Sequence, residues 1–141
     1  VIELVLFPKD KVKDAWFMVS NNIADALARS NGYARADHIL QWCLEDKMQL
    51  WVLWDKIEKK YYGVLVTEII QRPLTRILNI KIMTGVHREK WEHLIKQIEE
   101  FAWHNDCDSL ELIARPGWKR VLKTYGYKDT HVLLEKKKEK K

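Results

Sequence analysis

A chain of 141 residues, 47% of them hydrophobic, is long enough to fold as one domain around a real core. Its formal net charge is +5, but much of the excess sits in the tail Lys136-Lys137-Lys138-Glu139-Lys140-Lys141, so the body is close to neutral and argues against nucleic acid as a partner. No run approaches the roughly 18 apolar residues of a membrane span, and the opening VIELVLF has neither the basic region nor the small-residue cleavage site of a secretory leader.

Val1 to Phe7 alternates as a strand does and is closed by Pro8, which has no N–H for a ladder. Asp10 is placed to cap a helix in which Val12, Ala15, Trp16, Val19, Ile23, Ala26 and Leu27 follow helical spacing to about Arg29. Ser30-Asn31-Gly32 is a stop. A second helix starts near Ala36 or Asp37 and carries Ile39, Leu40, Cys43 and Leu44. Gln49 to Asp55 and Tyr61 to Gln71 read as two strands of a hairpin, joined by a polar, solvated connection. Ile77 to Met83 is the third strand of this meander, with Leu78, Ile80 and Ile82 expected on one face and Asn79, Lys81 and Met83 on the other. Gly85 marks the change from a period of 2 to one of 3.6. A long helix over about His87–Asn105 follows, with Trp91, Leu94, Ile95, Ile98, Phe101 and Ala102 in one stripe. Ser109–Ala114 is a short strand, Arg115-Pro116-Gly117 a turn, and Trp118 to about Tyr125 a short helix ended by Gly126. Tyr127–Glu135 is expected to be a final strand.

The resulting order is β-α-α-β-β-β-α-β-α-β: an α/β (α+β) domain over residues 1–135, with a Lys-rich tail over 136–141. The antiparallel meander followed by a βαβ unit gives a mixed central sheet with helices on both faces. The turn Thr84-Gly85-Val86-His87-Arg88 leads from a strand into a helix, a place where free N–H groups can hold a phosphate.

This order resembles the GCN5-related N-acetyltransferase superfamily over nearly the whole chain. The likeness is best in Ser109–Ala114 and in the short helix ending in the Gly126-Tyr127 step. The compact stretch ARPGWKRVLKTYGYKDTHVLLEK is also similar to small acetyltransferase-like proteins encoded by bacteriophages, some near virion structural genes. The resemblance implies acetyl-CoA as cofactor if the chain is active, with its pyrophosphate at Thr84, Gly85, Val86, His87 and Arg88. It implies Glu68, on a central strand, as the candidate base that deprotonates an amine. Two departures stand against activity. The turn lacks the family's Gly-x-Gly/Ala spacing, and Glu89 places a negative charge beside it. Leu122 stands where many relatives have the tyrosine that protonates the leaving thiolate, and no other acid is identified.

The five histidines have no metal-ligand spacing. Cys43 and Cys107 form no CxxC and read as buried reduced thiols, which suits a cytoplasmic protein or, if phage-encoded, one assembled there into a virion. Seven tryptophans are many for this length. Trp42 and Trp103 fall off the apolar stripes of their helices and are candidate contacts with other protein subunits. Two functions follow. One is an eroded acetyltransferase-like fold used as a structural or interaction protein, such as a phage virion or assembly component, which expects an aromatic surface for a partner. The other is an active, divergent N-acetyltransferase, which expects a V-shaped opening between strands and an unobstructed, positive helix start.

Overall fold

The computed structural model describes residues 1–30 and 32–139. Asn31 of the expected helix stop and Lys140-Lys141 of the tail lie outside them. Five strands form one sheet in the order β1 (Ile2–Phe7), β2 (Gln49–Asp55), β3 (Lys60–Gln71), β4 (Arg76–Gly85) and β5 (Ser109–Glu111). The first four are antiparallel neighbours, and β5 joins β4 in parallel. The sheet is therefore mixed, as expected. Helices α1 (Val12–Arg29) and α2 (Ala36–Leu44) cover one face, and α3 (Ile95–His104) covers the other, with α4 (Pro116–Thr124) beyond β5.

Each face has its own core. Val12, Ala15, Val19, Ile23 and Leu27 of α1 pack with Ile39 and Cys43 of α2 over Leu50, Val52, Val64 and Val66. On the opposite face Trp91, Ile98 and Ala102 lie over Trp51, Leu53, Leu65, Leu78 and Ile80. The alternation of β2 feeds both layers, so Trp51 faces α3 while Trp54 packs on the α1 side. Trp51 meets Phe101 edge to face, with centroids 5.1 Å apart.

Five expectations need correction. Ile82 does not share a face with Leu78 and Ile80. Val66 pairs with Ile82 but Thr67 pairs with Ile80, so Lys81 is an extra residue, and the bulge turns Ile82 toward α1. The long helix does not start at His87. His87 has φ 54°, single 3₁₀ turns cover Arg88–Lys90 and Glu92–Leu94, and Trp91 between them has φ −135°. The Trp91 indole N–H donates to the Val86 carbonyl at 2.8 Å, and its ring is fully buried. Anchoring that ring takes precedence over helical propensity in this segment. Asp10 makes no side-chain cap and falls within a 3₁₀ turn, Lys9–Lys11. Finally, the strand after α3 stops at Glu111, and Tyr127–Glu135 forms no strand. An apolar pattern supplies no ladder, and none of the described strands pairs with that segment.

Inside the sheet the Trp51 indole N–H donates to Thr67 Oγ1 at 2.9 Å, and Thr67 donates onward to Gln49 Oε1 at 2.8 Å. Thr67 is completely buried. Thr67→Val keeps the shape but strands the indole donor, which costs about 1–3 kcal/mol. Urea unfolding is expected to show a loss of that size, with Thr67→Ser losing less.

Candidate functional site

Register pairs join β4 to β5 only at Ile77–Ser109, Leu78–Leu110 and Asn79–Glu111. Past that point β4 continues to Gly85, paired only with β3, while Leu112–Arg115 turns away toward α4. The strands part and leave a cleft of about 110 Å³, floored by Ile80–Thr84 and walled by Arg29, Ala114, Arg115 and Trp118. A V-shaped opening is thus present. It is cationic on its walls, and Arg29 Nη2 donates to Thr84 Oγ1 at 3.4 Å.

Beside the cleft, Glu68 on β3 pairs with the bulged Lys81, Oε1 to Nζ at 3.2 Å. Both side chains are about three-quarters covered, at 28% and 25% exposure. Tyr33, from the connection between α1 and α2, is held above its ordinary phenol range by burial and, second, by the Glu68 charge. The bulge thus sets an ammonium against the β3 carboxylate at one edge of the opening, and the α1–α2 connection brings the Tyr33 phenol within range of that carboxylate's charge. Only Glu68 of the three stood out in the sequence. Lys81 is delivered by the bulge, and Tyr33 by a loop whose course the sequence does not encode locally.

The turn Thr84–Arg88 has a different character. Thr84 and Gly85 are still in the ladder with Val64 and Gly63, and the Val86 N–H is taken by the Tyr62 carbonyl at 2.9 Å. A Cβ on Gly63 would lie 2.5 Å from the Thr84 carbonyl oxygen, and one on Gly85 only 2.9 Å from the Gly63 Cα. Gly85 is therefore required by the close approach of β3 and β4. His87 sits in the left-handed region and turns the chain away. The Arg88 guanidinium lies 5.1 Å over the Trp118 ring, donates to the Gly117 carbonyl at 3.3 Å and faces Glu92 at 3.7 Å. Trp118 in turn tilts against Trp91, with centroids 5.8 Å apart. The turn is obstructed, and its cation is already engaged.

On α4, Leu122 is 3% exposed and carries no transferable proton. Burial pushes the Cys43 thiol up to about 12, and burial also raises Cys107, with neighbouring charges contributing less. Trp42 is half-buried on the α1–α2 side and stacks on His38 at 5.9 Å, whereas Trp103 is 52% exposed. Among the described residues no three of His, Cys, Asp or Glu converge to hold a metal.

Two outcomes test this description. Gly85→Ala forces β3 and β4 apart and is expected to lower stability by about 1–3 kcal/mol in thermal unfolding, whether or not acetyl-CoA is present. Both thiols are expected to resist iodoacetamide at neutral pH in the native protein and to react quickly in denaturant, as mass spectrometry would record.

No protein-family model matches this sequence, and no curated protein matches it. Solved structures do. An aminoglycoside acetyltransferase from an uncultured soil metagenomic sample superposes with a TM-score of 0.74 at 10% identity, covering 99% of each chain. A probable acetyltransferase gives 0.72 at 9% identity, covering 97% of this chain and 99% of that one. A predicted acetyltransferase with acetyl-CoA from Clostridium acetobutylicum gives 0.69 at 13% identity, covering 97% and 96%. Such identities speak to architecture alone. The chain carries the fold of the GCN5-related N-acetyltransferases.

Proposed function

We propose that this protein is an acetyltransferase-fold protein with a degenerate acyl-CoA site, and that it acts by binding other proteins. The observation that carries this reading is the closed strand-to-helix turn. A pyrophosphate cradle needs successive N–H groups aimed at one point. Here Val86 N–H is spent on Tyr62, His87 reverses the chain, and α3 begins only at Ile95. Arg88, the strongest cation at the turn, is engaged with Trp118, Gly117 and Glu92. The buried Leu122 supports the same reading, because it leaves α4 without a proton donor at that position. The half-exposed Trp103 supports a protein partner. A cytoplasmic virion or assembly component is the setting that the resemblance to bacteriophage-encoded proteins implies.

One observation favours a second reading, an active N-acetyltransferase. The strands open as a cofactor cleft requires, and Glu68 stands beside the opening with Lys81 as its counter-charge. In that case the cleft would hold acetyl-CoA, Glu68 would take the proton of the attacking amine as the C–N bond forms and the thioester C–S bond breaks, and water or an unidentified group would protonate the leaving thiolate.

Titration calorimetry separates the two. The first reading expects no heat of binding up to about 1 mM acetyl-CoA, and no difference between the protein and Arg88→Glu. Micromolar binding that Arg88→Glu weakens by about tenfold or more would overturn it in favour of the enzyme.

A further inference from the structure

The charge of this chain is polarised. Residues 1–111 hold fifteen Lys or Arg and seventeen Asp or Glu, whereas residues 112–141 hold ten and three. The positive excess therefore begins where the chain leaves β5. Helix α4 carries part of it: Arg115 at its N-cap, Lys119, Arg120 and Lys123 are all exposed. Lys128 and Lys136–Lys138 continue it and are exposed too. Two acids interrupt the run. Asp129 accepts from Lys119 Nζ at 2.8 Å and faces Lys123 at 3.9 Å, and Glu135 faces Lys137 at 3.8 Å. Among the described residues Arg115, Arg120, Lys128, Lys136 and Lys138 stand in no ion pair, so the surface stays positive after these pairings. Neighbouring acids are occupied elsewhere: Glu111 pairs with Arg72 at 2.9 Å, and Glu99 accepts from the Tyr127 hydroxyl at 3.0 Å.

An apolar element lies between these cations. Val132, Leu133 and Leu134 are 83%, 65% and 87% exposed, outside any helix or described strand. One exposed aliphatic is ordinary, but three in a row are costly in water and call for a cover. Nucleic acid would suit the lysines and not the aliphatics: residues 128–139 contain no Phe, Tyr or Trp on which a base could stack. An anionic bilayer surface suits both. Its headgroups attract Lys and Arg, and the boundary beneath them takes aliphatic side chains that project from among the cations. Among the described residues no helix is long and apolar enough to cross a membrane, so such contact is with one face of the bilayer.

We propose that residues 115–138 form a peripheral docking surface for an anionic lipid bilayer. Val132, Leu133 and Leu134 enter the boundary between headgroups and acyl chains, while the cations of α4 and Lys128, Lys136 and Lys138 meet the lipid phosphates and carboxylates. Neither element suffices alone, because three aliphatics partition weakly and exposed lysines are screened by salt. Together they supply the two signals that stable attachment takes. None of this rests on whether the cleft binds acetyl-CoA or on a protein partner, so its test is separate from the calorimetry.

Co-sedimentation of the full chain with vesicles reads this directly. Phosphatidylcholine vesicles carrying about one-third phosphatidylserine should pellet the protein at low salt, and pure phosphatidylcholine vesicles should not. Salt at about 1 M should release most of it. The double variants Val132→Asp/Leu134→Asp and Lys136→Glu/Lys138→Glu should each weaken partitioning by about tenfold or more. Their circular dichroism spectra should be unchanged, because all four side chains are exposed. Cys43 and Cys107 are buried, so Leu133→Cys can carry the one environment-sensitive fluorophore, whose emission should shift to the blue on anionic vesicles. No pelleting with anionic vesicles at low salt would overturn the proposal. Binding indifferent to Val132→Asp/Leu134→Asp would also overturn it, since that is adsorption by charge alone. Displacement from the vesicles by an equal charge concentration of duplex DNA would make nucleic acid the partner instead. Amide protection of residues 130–135 in the lipid-free protein would overturn it as well, since the protein would then cover the triplet itself.

Discussion

Lys81 is one residue more than the β3–β4 ladder can pair, and both cores depend on where that surplus is placed. Below it, β4 sends Leu78 and Ile80 to the α3 side. Above it, the same strand sends Ile82 to the α1 side while Met83 packs under α3. In a regular strand Ile82 would stay on the face of Leu78 and Ile80, because side chains would alternate strictly from end to end. The bulge also adds local twist. It falls just past the last β4–β5 register pair, so the loss of pairing with β5 and the change of facing occur together. The cleft, the Glu68–Lys81 pair and the second core therefore share one geometric origin.

What surrounds the cleft is less permissive than the cleft itself. Two glycines, Gly63 and Gly85, let the backbones of β3 and β4 touch at the end of the sheet. The chain then leaves through a left-handed histidine and two 3₁₀ turns before helical geometry is established. Trp91 holds this path from within, with its ring buried and its N–H spent on Val86. Trp118 and Arg88 close it from outside. The opening and the obstruction are adjacent but separately built, which is why an acetyltransferase fold at TM-scores near 0.7 coexists with a turn unlike a phosphate cradle.

Most of the fold was legible in the sequence. The stripe Val12, Ala15, Val19, Ile23 and Leu27 is what α1 buries, and the apolar runs of β2 and β3 land within a residue or two of expectation. Gly126 ends α4 in the left-handed conformation that its glycine predicts. What escaped was non-local. The stretch LNIKI, Leu78–Ile82, alternates without a break, so nothing in it marks Lys81 as surplus; only pairing with β3 does. Trp91 lies on a good helical stripe, and its burial interrupts the helix instead of anchoring a regular turn. Tyr127–Glu135 has a strand's composition but no partner, and partnership is not written in a segment. For the site, Glu68 and the turn were nameable from position, whereas Tyr33, Lys81 and Arg29 meet there only through tertiary structure.

The late start of α3 has a consequence for how this surface can change over generations. Seven residues separate His87 from Ile95, so the positive end of the α3 macrodipole stands well away from the strand exit. A cleft that draws its field from a helix terminus owes it to backbone, which substitution barely alters. This one draws its field from Arg29, Lys81 and Arg115, each a side chain that a single codon change can remove or reverse. The scaffold is held in shape by its two cores, while the polarity of its opening rests on side chains outside them. Lineages sharing this architecture can diverge in what they attract without any rearrangement of the sheet.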